Sequence, residues 1–151
     1  MSYATIVAKE LALIRALSDY ADADVTWGDY RVLESGGDPY VILRAGGFVN
    51  EYKTPTRRQR TWTTILELYE RMVGDGTEEV NLDTRRQTLI ALFDQYPTLD
   101  ALSANVSGAH IQDGDEPVVA YHDKGGGVFL MQTMRLVVME QYTVTASGEY
   151  D

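Results

Sequence analysis

One stretch restricts the possible folds of this chain more than any other: VFLMQTMRLVVMEQY, residues 128–142. Val128, Leu130, Met134, Leu136 and Val138 share one face of an extended chain, while Thr133, Arg135 and Gln141 share the other. That period of two predicts a β-strand. Fifteen residues at about 3.3 Å each reach roughly 50 Å, which overhangs an ordinary domain unless the strand bends. Such a strand needs neighbours along its length, and the rest of the chain must supply them.

Several segments qualify. Residues 62–72, WTTILELYERM, fit a helix by the spacing of Trp62, Ile65, Leu66, Tyr69 and Met72. They also fit a strand with Trp62, Leu66, Leu68 and Met72 on one face, and the run of threonines and aromatics favours the strand. Tyr30–Leu33 and Tyr40–Leu43 flank ESGGDP and predict a β-hairpin, since Gly36 and Gly37 accept positive φ. SANVSGAHIQD and PVVAY predict short strands around the turn DGDE, and HDKGGG predicts a flexible connection. Residues 45–60 predict a long loop, because Gly46, Gly47 and Pro55 break any pattern. Loops of that length often carry function. Residues 143–151 predict a flexible tail.

Two helices complete the set. Over residues 3–20, Tyr3, Ile6, Val7, Leu11, Ile14 and Leu17 recur at steps of three and four. Over residues 83–96, Leu89, Leu92, Phe93 and Tyr96 form the apolar stripe. Asp83 or Thr84 is placed to cap that helix, Thr84 with Gln87 matches a capping box, and Pro97 stops it. The order of elements predicts one α+β domain over residues 1–151, with two helices packed on a mostly antiparallel sheet.

Charge and composition narrow the function. Thirteen Lys and Arg against 23 Asp and Glu give 13 − 23 = −10. That balance opposes tight wrapping of nucleic acid, which needs cations at the phosphates. No cysteine is present, so disulfides and thiolate metal sites are excluded. Lys9, Glu10 and Arg15 interrupt the first apolar run, unlike a signal peptide, and no long uncharged apolar stretch predicts a membrane span.

Catalytic patterns are weak. His110 and His122 lack the helical spacing and third ligand of a zinc site, even with Asp113 or Asp123 nearby. GDGTEE and DGDE lack the twelve-residue ligand pattern of a calcium loop. In KGGGVF the lysine, Lys124, precedes the glycines and a strand follows, which is the wrong order for a phosphate loop. No catalytic residue, cofactor or metal is therefore expected. The densest basic cluster is TRRQR, with Arg57, Arg58 and Arg60 beside Tyr52. It reads either as a solvated face or as a contact for an acidic surface, including another copy of this chain. The acidic turn with Asp113, Asp115 and Glu116, and the Asp123–Lys124 connection, are the matching interface candidates.

RRQRTWTTILELYERMVGDGTEE, then LDTRRQTLIALFDQYPTL, then GGGVFLMQTMRLVVMEQ, together resemble tail terminator proteins of long-tailed bacteriophages, also called tail completion or minor tail proteins. The resemblance covers about residues 40–142. It implies a homo-hexameric ring in the virion neck, assembled in the host cytoplasm, that caps the tail tube and ends its growth. The partners implied are further copies of the chain, the major tail tube protein and a head–tail connector or stopper. DNA would pass through the ring without specific binding. The competing readings are another neck protein, such as a stopper or adaptor, and a small-ligand-binding α+β module.

Overall fold

Two helices lie on a six-stranded, mostly antiparallel sheet in the computed structural model, which describes residues 2–122 and 127–144. The elements are α1 (Tyr3–Arg15), β1 (Val25–Trp27), β2 (Tyr40–Thr54), β3 (Arg57–Arg71), α2 (Thr77–Gln95), β4 (Val106–Gly114), β5 (Val118–His122) and β6 (Gly127–Thr143). Across the sheet the order is β1, β2, β3, β6, β4. β5 also pairs with β6, occupying Gly127–Met131, while β4 occupies Met134–Glu140 of the same edge. The fold is thus the expected α+β, and the long final strand is its spine. β3 pairs with β6 from Arg57 opposite Thr143 to Arg71 opposite Phe129. No helix among the described residues is long and apolar enough to cross a membrane.

The register decides which residues share a face. Leu43, Leu66 and Met134 are level with one another, as are Val41, Leu68 and Gln132. These rows lie under the helices, where Ile6, Ile14, Leu82, Leu89 and Phe93 complete the main core. The other face holds a smaller cluster of Leu33, Tyr40, Ile42, Tyr69 and Phe129. Its rings meet edge to face, with Phe129 5.9 Å from Tyr40 and 5.8 Å from Tyr69, a preferred aromatic geometry.

Five local expectations are corrected. Residues 45–60 are not a loop but the greater part of a hairpin, β2 and β3, turning at Pro55 and Thr56. The glycines do not end the strand. They make a β-bulge between Ala45 and Gly47, with Gly47 at φ +98°, and a bulge bends a strand without terminating it. Residues 30–43 do not form a hairpin: Tyr30–Glu34 is a short 3-10 helix, and β2 takes β1 as a parallel neighbour. The Asp29 side chain accepts the Arg31 N–H at 3.1 Å, which favours the turn, and Leu33 is buried against the second core.

α2 starts at Thr77, six residues before the expected site at Asp83. Gly76 precedes it in the left-handed region, Asp75 takes the Thr77 N–H at 3.0 Å, and Glu78 and Glu79 fill the first turn, where carboxylates suit the helix dipole. Thr84 is therefore inside the helix and donates to the Val80 carbonyl at 3.0 Å. α1 stops at Arg15, short of Tyr20, which turns back into the core. Thr143 ends β6, and the Val144 N–H reaches the Thr56 carbonyl at 2.8 Å, so residues 143 and 144 are held to the sheet and are not part of a tail. Residues 145–151 and the expected Asp123–Lys124 connection lie outside the described residues.

α1 carries one unusual core residue. Glu10 is fully buried among Ile6, Val7, Leu13 and Ile14. Its Oε1 accepts the Thr64 hydroxyl at 2.8 Å, and its Oε2 has no partner. Burial pushes this carboxyl up to about 8, against the smaller downward pull of the Thr64 bond.

Candidate subunit interface on the hairpin arm

β1 covers β2 only at Val41–Leu43. From Arg44 to Thr54 the outer edge of β2 has no strand beside it among the described residues. From Trp62, where Tyr3 of α1 still stacks, the ends of β2, β3 and β6 run on as an arm to the turn at Pro55 and Thr56. Phe48 (59% exposed), Val49 (56%) and Tyr52 (66%) lie on it. An unpaired edge with exposed large side chains is a template for another strand, and proteins that stay monomeric usually guard such edges.

The basic cluster sits at the arm's end, and the structure separates its members. Arg60 lies between two rings, 5.3 Å from Trp62 and 5.0 Å from Tyr142. It donates to Asn50 Oδ1 at 3.0 Å and to the Tyr142 hydroxyl at 3.2 Å. Arg58 stacks 4.5 Å over Tyr52 and donates to the Thr54 carbonyl at 2.7 Å. Both are braces of the arm. Arg57, by contrast, is exposed at the tip, and among the described residues its guanidinium has no partner. Lys53, Arg57, Arg58, Asn105, Gln141 and Tyr142 line an open cleft of about 430 Å³ there.

The acidic turn divides in the same way. Asp113 accepts from Arg135 Nε at 3.2 Å. Asp115 accepts the Thr133 hydroxyl at 2.7 Å and lies 3.5 Å from Arg135. Glu116 lines a second open cleft, of about 390 Å³, with Glu79, Leu82, Asp83, Arg86, Pro117, Leu130 and Gln132. Arg86 in that cleft already holds Asp83. Gln132, 5% exposed, gives its Nε2 to the Asp115 carbonyl at 2.9 Å, while its Oε1 has no partner.

Both charged regions expected from the sequence line open clefts, one at the arm's end and one beside α2. Arg58, Arg60, Asp113 and Asp115 are engaged within the chain. Asp123 and Lys124 lie outside the described residues. The free edge of β2, the exposure of Phe48 and Val49, and the Glu79, Asp83 and Gln132 lining of the second cleft were not anticipated from the sequence. Among the described residues no group of three or more His, Cys, Asp or Glu side chains is arranged to hold a metal ion.

Compared with known proteins, the sequence matches no family model and no curated protein.

Proposed function

We propose that this chain is a structural virion protein of a long-tailed phage, a subunit of a ring that caps the tail tube. Capping ends tube growth and leaves a surface on which the head–tail joint is completed. The observation that carries this reading is the arm: the far end of the β2–β3 hairpin, with a free edge and exposed aromatics at its outer strand. A tip of this kind suits contact with a neighbouring copy, with the tube protein, or with both.

The placement of charge supports a ring. The basic tip and the Glu116 cleft lie at opposite ends of β6. One chain cannot join them, so they favour a head-to-tail contact between copies, which closes into a ring when the rotation allows. The acidic chain lets DNA pass such a ring without adhering. The connector or stopper would meet the side away from the tube.

The test is a polymerisation assay. Purified tail tube protein is assembled with and without this chain, and tube lengths are measured by electron microscopy. Shorter tubes with density at one end support capping. An unchanged length distribution rejects it.

A further inference from the structure

We propose that the cleft between α2 and the β4–β5 turn is the receptor for the Arg57 tip of a second copy. The inference rests on the ring reading above and names the side chains of its contact. Three carboxylates line the cleft, Glu79, Asp83 and Glu116, and its one cation, Arg86, is already bonded to Asp83. Gln132, nearly buried in the lining, has an Oε1 without a hydrogen-bond partner. A buried carbonyl oxygen left unpaired is costly, and an incoming N–H donor relieves it. Carboxylates around an unpaired acceptor call for a cation rich in donors, and a guanidinium brings five.

The chain carries one such group to spare. Lys9, Arg31, Arg44, Lys53, Arg85, Arg86 and Arg135 each hold a carboxylate of their own chain. Arg15, Arg58 and Arg71 hold backbone carbonyls, and Arg60 holds Asn50 and Tyr142. Arg57 is the one described cation left without a partner, at the end of the arm. It cannot enter its own cleft. Arg57 stands opposite Thr143, and Gln132 lies 143 − 132 = 11 positions back along β6, roughly 36 Å at 3.3 Å per residue. A second copy supplies the tip, and the first copy's tip is left for a third.

The probe is a cyclic peptide carrying residues 52–60, titrated into the full-length chain and followed by amide NMR shifts. Shifts confined to residues 79–86 and 114–117 are expected. Affinity drops about tenfold or more for the Glu79→Lys/Glu116→Lys chain, as for loss of a close charge pair, and binding disappears for an Arg57→Glu peptide. Circular dichroism verifies that the variant chain is folded; Glu116→Gln alone provides a milder second variant. Shifts elsewhere, or affinity unchanged by these substitutions, overturn the assignment. Rings formed by a chain that ignores the peptide leave the ring reading standing and remove this contact. A chain that binds the peptide but never caps tubes keeps the contact and removes the tail function.

Discussion

Thr64 donates its hydroxyl to the Glu10 carboxyl at 2.8 Å, and both side chains are shut away from water between α1 and the sheet. The Tyr3 hydroxyl lies 2.7 Å from the same Thr64 oxygen and donates to the Thr63 carbonyl at 3.0 Å. α1 is therefore fixed to β3 by a small polar network inside an apolar interface.

That network makes stability pH-dependent. The Glu10 carboxyl titrates from an ordinary 4.5 in the unfolded chain to about 8 in the folded one. Between those values the folded chain holds a proton that the unfolded chain has lost, so stability falls as pH rises and levels off above the folded value. Urea unfolding from pH 5 to pH 8 is expected to lose on the order of 1 kcal/mol per pH unit. Glu10→Gln should flatten this slope. An equal slope in both proteins would show that Glu10 does not cause it.

Tyr3 also stacks on Trp62, with ring centres 5.1 Å apart and planes 13° from parallel. Removing the ring and the hydroxyl together by Tyr3→Ala should cost about 2–4 kcal/mol in denaturant unfolding, from lost burial, stacking and hydrogen bonding. Tyr3→Phe keeps the stack and should cost about 1 kcal/mol. Equal losses for the two variants would assign the anchor to the hydroxyl alone.

The bulge in β2 sets the course of the arm. A Cβ on Gly46 would lie 2.8 Å from Thr63 Cγ2, whereas one on Gly47 would meet open space, with φ +98° as the only obstacle. Gly46→Ala is therefore expected to cost about 1–3 kcal/mol through overpacking. Gly47→Ala should cost about 1–2 kcal/mol through backbone strain. Thermal unfolding of the two variants measures both, and a neutral Gly46→Ala would mean that Thr63 yields without cost.

Val49 is exposed on the free edge of β2. Val49→Lys should leave monomer stability within about 0.5 kcal/mol, as surface changes usually do, while a charged edge resists strand addition. Sedimentation velocity should show weaker self-association for the variant, or loss of tube capping. Unimpaired assembly would remove the edge from the interface.

The alternation over residues 128–142 made the spine of the sheet readable, and residue type identified β3 despite its helical spacing. What misled was punctuation. Gly46 and Gly47 look like a break, yet between paired strands they form a bulge, and only the partner β3 reveals the difference. GDGTEE looks like a free turn, yet it is the capped start of α2. The interface candidates were readable as charge alone. Which charges are spent depends on cross-strand register, such as Arg135 opposite Asp113, and on stacking of the kind that holds Arg60 against Trp62 and Tyr142. Neither relation is local in sequence.

The most direct test of the tail role is the mass of the purified chain, alone and after mixing with assembled tail tubes, by light scattering and negative-stain imaging. The account predicts a ring, or a cap bound at one end of each tube. A monomer that stays a monomer and leaves the tubes bare would contradict it.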